Sequence, residues 1–545
     1  MVRRRRYASK LRQQRNGRNV ENEQVGVSSY VVVIEGLATS LIGVYGSNIG
    51  RTPTWDKLAS RGVTLDQCFV DSLDLMEQLE SLWTGQHALC SSVLRQEAPG
   101  LWGELESNQI PGRVITDCER VAEYAERRGC RDVTYVPPSA AGEAASSVDE
   151  CVALQLFFAA AEALRERDDA SPELTWIHSS GMRLPWDVPI EIRNTFVDPD
   201  DPEPPQSVGP PCFRIDETTD PDLVVGWGQV AAAQATIFDE GLAVLLAATE
   251  NESCGTQQSQ LEDAWSAKAA EATDAEGEEA SGPEQSHEPK ELSAAFSAGP
   301  LLNPADSLVL IGLGGLALGE HGFVGQLSTS NGDGSAVEEA ERMHGELLSC
   351  AALLISGGNW GGHSDGHVFS PAVRRPEILQ LADLGSTVRS MVGIESEAEC
   401  WGKNIFGLGF PDSPIRWDQS VQLALVEDAT VIWGRSPAWS LLISREEWEH
   451  HRGQAFALDE EGLLAAGEFA TDSVVASGHE RADFDFTLRL YVKPEDRWEV
   501  SDVADRRSDI AEELILSLLL YRKAIVRGER SALLPLSEGL LSLMR

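Results

Sequence analysis

The sequence predicts an α/β fold in which a mixed, mostly parallel sheet is flanked by helices, with a smaller C-terminal antiparallel subdomain. The run Val31–Ile34 is continuously apolar and largely β-branched, which is typical of a strand buried on both faces of a parallel sheet. Strand and helix patterns alternate from Val114 to Thr249, as they do in successive β-α-β units. Beyond about residue 415, short strands with turns replace this alternation and a terminal helix follows.

Start and stop signals define the individual elements. A helix is predicted at residues 53–61, because Pro53 opens it and Gly62 follows its end. Asp71, Ser72 and Asp74 are candidate N-caps of the next helix. Further strands are predicted at residues 63–70, 133–136, 175–178, 307–312, 351–356, 420–426, 430–433, 439–443 and 486–492. Further helices are predicted at residues 120–128, 147–165, 230–249 (long and amphipathic) and 505–527, and residues 370–392 are predicted as a strand followed by a helix.

The predicted domain organisation has three parts. Residues 1–27 form a flexible basic arm, residues 28–414 the main α/β domain, and residues 415–545 a C-terminal α+β subdomain. Within the main domain, residues 250–300 lose apolar periodicity and are dominated by Ala, Glu, Ser and Gly. That composition predicts an acidic, disordered insertion between a helix and the next strand.

The charge balance is strongly acidic. Eighty-seven Asp and Glu residues against 44 Lys and Arg give a formal net charge of −43. Such a field repels polyanions, so nucleic acid is not expected as a partner, apart from contacts of the basic arm. The nine cysteines are scattered without a C-x-x-C pair, which predicts reduced, buried thiols rather than a disulfide framework or a zinc site.

The N-terminal segment begins like the charged part of a signal peptide. It contains the run Arg3–Arg6, but no apolar stretch follows, so export by that route is not predicted. No segment was found to reach the apolar length that a membrane crossing needs. We therefore expect a cytoplasmic protein without a membrane partner. The basic arm is interpreted as a solvated tail, or as a segment that contacts nucleic acid or the acidic body of the protein.

Several segments resemble, in the same order along the chain, landmarks of the sulfatase family in the alkaline-phosphatase superfamily. GVYGSNIGRTPTWDKLASRGV is similar to the family's Tyr-Gly and Thr-Pro-x-x-Asp-x-Leu-Ala-x-x-Gly-Val. SLWTG at Ser81–Gly85 resembles the end of the family's nucleophile helix. LVLIGLGGLALGEHGFVG resembles the loop that carries Gly-Glu-His-Gly, and the segment from Leu488 resembles the closing strand and helix. The resemblance implies a sulfatase-like fold.

The nucleophile motif of the family is not present. The resemblance implies a formylglycine nucleophile made from Cys or Ser, followed by an arginine, at the start of that helix. In the best alignment the nucleophile position is Leu75 and the arginine position is Leu79. Starting the motif at Cys68 or Ser72 does not restore it. No catalytic residue is therefore predicted.

The metal and sulfate positions of the family are also altered. A divalent cation there is held by several oxygen ligands, whereas the corresponding residues are Glu35, Gly36, Leu313 and Gly314. Only Glu35 could contribute a ligand, so no metal or other cofactor is expected. The pocket-lining candidates are Glu35, Arg183, His321 and Gln326.

Each candidate also has a structural interpretation. Glu35 is expected to bind loop amides, and Arg183 is expected to form an ion pair with Glu35 or Asp187. His87 and His178 are interpreted as structural. The chain is thus predicted to be a degenerate sulfatase-like pseudoenzyme with a binding or regulatory role toward an unknown protein or small molecule. The alternative is a hydrolase of sulfate or phosphate esters with a divergent active site, which would need Ca²⁺ or Mg²⁺.

Overall fold

The computed structural model of the chain describes residues 28–165, 173–249, 306–325, 343–355, 372–394, 400–405, 422–456 and 487–542. The predicted basic arm, the predicted acidic insertion at 250–300, the predicted boundary at 414/415 and the candidate Gln326 all lie outside these residues.

Three sheets are present in this part of the chain. Their strands are β1 (Ser29–Glu35), β2 (Val63–Phe69), β3 (Gly112–Thr116), β4 (Asp132–Tyr135), β5 (Leu174–Ser179), β6 (Cys212–Arg214), β7 (Ser307–Leu313), β8 (Ala317–Leu318), β9 (Phe323–Gly325), β10 (Ser349–Ile355), β11 (Val373–Gln380), β12 (Ala424–Glu427), β13 (Val431–Arg435), β14 (Trp439–Ser444) and β15 (Leu488–Val492). The main sheet has the order β11-β2-β10-β7-β1-β5-β3-β4. Every pairing in it is parallel except the two pairings of β10, which runs antiparallel to β2 and β7. The carboxyl ends of the other strands therefore meet at one edge of the sheet, the carboxyl edge.

Helices cover both faces of the main sheet, and others pack on the C-terminal strands. They are α1 (Pro53–Ala59), α2 (Leu75–Thr84), α3 (Ser92–Glu97), α4 (Leu101–Ser107), α5 (Glu119–Arg127), α6 (Val152–Arg165), α7 (Ile190–Asn194), α8 (Pro221–Thr249), α9 (Gly345–Leu348), α10 (Leu381–Met391), α11 (Arg445–Phe456), α12 (Ser508–Arg527) and α13 (Glu538–Leu541). Every residue of β1 is buried, as the continuous apolar run predicts. Val32 and Ile34 join one core with α1, α6 and α8. Val31 and Val33 join the opposite core with α2, α4, α5 and α10, because successive side chains point to opposite faces.

The C-terminal sheet is antiparallel, in the order β12-β13-β14-β15, as predicted. Val431 and Trp433 on one face of β13 belong to the core of the main sheet. Ile432 on the other face packs into a third core with Leu514 and Leu518 of α12. This sheet therefore lies between the main α/β core and the long helix near the end of the chain.

The helix α8 differs from its prediction. It begins at Pro221 rather than at Val230, and it is not amphipathic. Among the described helices it alone is long and apolar enough to cross a membrane by length and composition, but 94% of its most apolar window is buried in the fold. The expectation that no segment reaches such a length was wrong for this helix, whose apolar surface packs in the protein core.

Other elements were not predicted. The helix α11 has mostly polar residues with Trp448 buried among them, so it lacks a clear apolar period. The helices α3 and α4 are short, and β6, β8 and β9 form a small sheet of two- and three-residue strands. Elements of this size carry too few residues for a period to be recognised.

Candidate functional site

Glu35 lies at the carboxyl edge, as the last residue of β1. Its side chain is 3% exposed, and its two oxygens have different partners. Oε1 lies 3.0 Å from Nε2 of His178 on β5, and Oε2 lies 3.3 Å from Nε of Arg183. Arg183 belongs to the short turn that follows β5. We call Glu35, His178 and Arg183 the Glu35 cluster.

The turn after β5 packs directly on the end of β1. Gly181 has a φ of +57°, and a Cβ atom at this position would lie 2.0 Å from the carbonyl oxygen of Glu35. Only glycine permits both the left-handed conformation and this close approach. The backbone therefore fixes the distance between the Arg183 turn and the carboxylate.

The electrostatics of the Glu35 cluster favour an ionised carboxylate. Burial acts to raise the pKa of Glu35, because it removes the charged form from water. The hydrogen bond with His178 and the positive charge of Arg183 outweigh burial, and the net pKa lies below the usual value. The buried charge of Glu35 is therefore compensated by side chains of the chain itself.

Three leucines of the sequence-predicted site are buried in the core on one face of the main sheet. Leu313 on β7 pairs with Glu35 in the parallel register and is 4% exposed. Leu75 and Leu79 of α2 are 3% and 0% exposed. All three leucines belong to one apolar core. These are the residues that the sequence resemblance aligns with the nucleophile, its arginine and a metal ligand, and their side chains are part of the core.

The first turn of α2 is closed by a carboxylate of the chain. Oδ1 of Asp74, the N-cap residue, accepts hydrogen bonds from the amides of Met76 at 2.8 Å and Glu77 at 3.1 Å. The carboxylate of Glu77 accepts a hydrogen bond from Oγ of Ser72 at 2.6 Å. Free amides at a helix N-terminus would otherwise attract an anion. Here two of them are already bonded, and the nearby carboxylates of Asp74 and Glu77 form ion pairs with Arg120 and Arg95.

The donors at this edge do not fit a divalent cation. Calcium takes six to eight oxygen ligands, and magnesium requires an octahedral set. Of the four predicted metal positions only Glu35 carries a side-chain oxygen, and its oxygens contact a histidine and an arginine. Gly36 and Gly314 form left-handed turns with φ values of 71° and 70°. Within the described ranges, no group of three or more His, Cys, Asp or Glu side chains is arranged to hold a metal ion.

A second polar group of residues, the histidine cluster, comprises His321, His344, Glu346, Lys493 and Glu499. Nε2 of His321 lies 3.1 Å from Oε1 of Glu346, and Nδ1 of His344 lies 3.2 Å from Oε2 of Glu499. The two imidazole rings stack, with their centroids 3.4 Å apart and their planes at 7°. Nζ of Lys493 lies 3.2 Å from Oε1 of Glu499. The cluster connects the loop after β7, the start of α9 and the segment after β15.

Opposite charges determine the ionisation of the histidine cluster. Burial acts to lower the pKa of His321, but the hydrogen bond with Glu346 and its charge raise the net pKa above the usual value. Burial acts to raise the pKa of Glu499, and the hydrogen bond with His344 and the charge of Lys493 hold it far below the usual range. The cluster is therefore a compensated set of buried charges.

A shallow cleft lies elsewhere in the molecule. It has a volume of about 250 Å³ and is lined in part by Trp102, Arg113, Cys130 and Arg131. These residues lie near the first residues of β3 and β4. The cleft is thus at the edge of the sheet opposite to the Glu35 cluster, and it contains none of the predicted site residues.

Solved structures identify the fold. The chain is similar to a phosphonate monoester hydrolase of Agrobacterium radiobacter, with a TM-score of 0.55 and 12% identity over 91% of this chain and 95% of that chain. It is also similar to a 2-O GAG sulfatase, with a TM-score of 0.52 and 12% identity over 92% of both chains. It is also similar to a protein of Bacteroides fragilis named as a sulfatase, with a TM-score of 0.54 and 13% identity over 94% of this chain and 99% of that chain.

The chain has a sulfatase-like fold. No protein-family model matches the sequence, and no curated protein matches it. The similarity to the sulfatase fold therefore rests on structure alone. Sequence identities of 12–13% establish the architecture, and the chemistry has to be judged from the residues of this chain.

The structure brings together part of the predicted pocket of the sulfatase fold. Glu35 and Arg183 are in contact, and Glu35 binds side chains rather than the loop amides that were expected. Asp187, the other candidate partner of Arg183, instead accepts a hydrogen bond from the amide of Val152 at 3.0 Å. His321 makes its ion pair in the histidine cluster, so it is not a member of the Glu35 cluster.

Sequence reasoning missed several partners. The sequence interprets His178 as structural and offers no motif for a partner, and its contact with Glu35 was not predicted. The parallel register could have found it, because His178 pairs with Val33, two residues before Glu35 on the same face of β1. His344 and Glu499 carry no motif, and they are 155 residues apart in the sequence. Only the packing of the C-terminal segment against the main sheet brings them together.

Asp239 has a structural role in the sulfatase fold of this chain. Its two carboxylate oxygens accept hydrogen bonds from the amides of Thr54 and Trp55, each at 3.0 Å. It therefore caps α1 from a distant helix. Burial without a cationic partner raises the pKa of Asp239 to about 7.

Proposed function

We propose that the protein is a catalytically inactive member of the sulfatase fold that acts by binding a partner. The observation that carries this proposal is the burial of Leu75, Leu79 and Leu313, which the sequence resemblance aligns with the nucleophile, its arginine and a metal ligand. Sulfate ester hydrolysis needs a nucleophile and groups that stabilise the charge developing on the leaving oxygens. Leucine side chains supply neither.

The state of the Glu35 cluster supports the same proposal. A carboxylate that holds a metal must be free to face the cation, whereas the oxygens of Glu35 already contact Nε of Arg183 and Nε2 of His178. No cofactor is proposed for this function. The partner class is a protein or a small molecule, and we propose a cytoplasmic location without a membrane partner, in which nucleic acid contacts are limited to residues 1–27.

A turnover assay tests the proposal. Purified full-length protein is incubated with aryl esters of sulfate, phosphate and methylphosphonate, with and without added Ca²⁺ or Mg²⁺. We expect no product above the uncatalysed rate, and the same result for the matched variant Glu35→Gln. Turnover that is lost in folded Glu35→Gln would contradict the proposal, because it would place Glu35 in a working site.

The alternative function is hydrolysis of sulfate or phosphate esters by a divergent active site. It is favoured by the contact between a buried carboxylate and a histidine beside Arg183, whose side chain is 35% exposed. Such a hydrolase would need Ca²⁺ or Mg²⁺, with ligands from residues that the resemblance does not point to. Turnover in the same assay that depends on added cation would favour this alternative.

A further inference from the structure

Two cysteines lie opposite each other between β2 and β10. Cys350 pairs directly with Cys68 in the antiparallel register. Directly opposed residues on antiparallel strands point to the same face of the sheet, with Cα atoms about 4.5–5.5 Å apart. Disulfides form at Cα separations of about 4.4–6.8 Å. The pairing of these two residues is therefore compatible with the Cα separation of a disulfide, and the register shifts only after Cys350, before Ala352.

The two thiols also interact. Each residue is 1% exposed, and the side-chain contact with Cys350 is the largest of the effects that raise the pKa of Cys68. Both cysteines are free in this structure. The pair is thus a reduced, buried dithiol with its sulfur atoms on the same side of one ladder.

A disulfide between Cys68 and Cys350 would link two segments at the carboxyl edge of the sheet. Cys68 is next to the last residue of β2, and the amide of Val70 donates to the carbonyl oxygen of Leu348 at 2.9 Å. The chain then continues from β2 into α2, whereas β10 directly follows α9 and its histidine cluster residue Glu346. A bond between Cys68 and Cys350 would fix the β2–α2 connection to the α9–β10 segment at the carboxyl edge.

We propose that Cys68 and Cys350 are a redox modification site, which forms a reversible intrachain disulfide with a small-molecule disulfide oxidant. The thiolate of one cysteine attacks the oxidant, breaks its S–S bond and releases one thiol. The thiolate of the second cysteine then attacks the mixed disulfide and releases the second thiol. Two cysteine thiols are oxidised, one oxidant disulfide is reduced to two thiols, and the two cysteine protons end on those thiols.

Burial determines how the bond forms. A thiolate is the attacking species, and burial with a raised pKa keeps its fraction small. Exchange with the folded protein is therefore slow, and it requires local opening of β10 from β2. Exchange during refolding is fast, because the thiols are then accessible and the register brings them together as the sheet closes.

Peptide mapping tests this site. Full-length protein is unfolded and refolded with oxidised and reduced glutathione, or with dithiothreitol, then alkylated, digested without reduction and analysed by mass spectrometry. We expect a linked peptide containing Cys68 and Cys350 after the glutathione treatment and its loss on adding dithiothreitol. The thermal midpoint of the oxidised form should be higher, and this increase should also be lost on reduction.

Variants locate the bond. Cys350→Ser should abolish the linked peptide and the increase in thermal midpoint, whereas Cys130→Ser, which alters another buried cysteine, should leave both unchanged. Glutathione attached to Cys68 or Cys350 without a link between them would overturn the proposal. So would a wild-type map in which both residues are alkylated after oxidative refolding, and this result needs no variant to fold.

Discussion

The two polar clusters at the carboxyl edge of the sheet differ in what they connect. The Glu35 cluster joins the ends of the neighbouring strands β1 and β5 and the turn that follows β5. The histidine cluster joins His321, in the loop after β7, and His344, before β10, to Glu499 in the C-terminal segment. One cluster compensates a single buried carboxylate locally. The other connects separate parts of the fold.

The two clusters also differ in how their residues align with the sulfatase pattern in the sequence. Gly-Glu-His-Gly, the motif that shapes a turn, is retained, and its histidine is bonded into the fold. The positions that resemble the nucleophile and metal ligands hold leucine and glycine, and the remaining carboxylate is paired with an arginine. We interpret the retained residues as those that stabilise loops.

Glu499→Ala is expected to have the largest effect. It removes the carboxylate that pairs with His344 and Lys493, and so leaves the buried ammonium group of Lys493 without its carboxylate partner. The free energy of unfolding, measured by urea denaturation at pH 7, should fall by about 3–5 kcal/mol.

Two controls separate charge from shape at this position. Glu499→Gln keeps the shape of the side chain, and its free energy of unfolding should fall by nearly as much as that of Glu499→Ala. Glu495→Ala, at an exposed residue of the same segment, should change the free energy of unfolding by less than about 0.5 kcal/mol. A loss below about 1 kcal/mol for Glu499→Ala would show that the histidine cluster does not hold the segment.

Asp239 is a buried carboxyl group whose hydrogen-bond partners, the amides of Thr54 and Trp55 and the side chain of Thr54, are uncharged, and its pKa is about 7. In the unfolded chain its proton is lost near pH 4. Between about pH 4 and 7 the folded state therefore holds a proton that the unfolded state has released. This contribution lowers the free energy of unfolding as pH rises, by at most about 1.4 kcal/mol per pH unit.

Asp239→Asn removes that titration. The variant should be less stable than wild type at pH 4.5, since it loses one acceptor oxygen. The difference in free energy of unfolding between the two proteins should narrow as pH rises to 7, because only wild type loses stability through this titration. The measurement is urea denaturation at three pH values in this range. A gap that widens with pH would indicate that Asp239 is ionised in the folded protein.

Arg183→Ala tests the Glu35 cluster, and a smaller effect is expected because Arg183 is partly exposed. The free energy of unfolding at pH 7 should fall by about 1–2 kcal/mol, after discounting for solvent screening. The pKa of Glu35 should rise, because the charge of Arg183 lowers it.

The pH dependence of this effect has a definite sign. A lowered carboxylate pKa contributes stability above the unfolded-state value near 4.5, and this contribution is lost as pH falls through the folded-state pKa. The difference between wild type and Arg183→Ala should therefore shrink in acid. In the background Glu35→Gln, Arg183→Ala should have almost no effect. An undiminished effect there would place the partner of Arg183 elsewhere.

Asp74→Ala is expected to have the smallest effect, about 1 kcal/mol, because it removes the N-cap of α2. Asp74 also lies 3.7 Å from Arg120, in an exposed ion pair. Arg120→Ala removes that pair and keeps the cap, so it should change stability by less than about 0.5 kcal/mol. Equal losses for the two variants would contradict the capping role.

Local signals in the sequence were sufficient for much of the fold. The β-branched run of β1, Pro53 at the start of α1 and the N-cap Asp74 depend on neighbouring residues, and each lies where it was predicted. The start of α8 was misplaced, because a helix buried on all sides has no amphipathic period.

The candidate site was less accessible from sequence. Glu35 and Arg183 were selected through the resemblance, but the contact of His178 with Glu35 depends on strand register. The pairing of His344 with Glu499 depends on how the C-terminal segment packs. Pairings between residues far apart in sequence carry no periodic or local signal.

Metal content tests the central claim most directly. Purified full-length protein is dialysed against buffer containing Ca²⁺ and Mg²⁺, freed of unbound ions and analysed by elemental mass spectrometry, with thermal unfolding measured before and after chelation. The account predicts far less than one divalent ion per chain and a thermal midpoint that chelation does not change. One tightly held ion per chain that disappears in folded Glu35→Gln would contradict it.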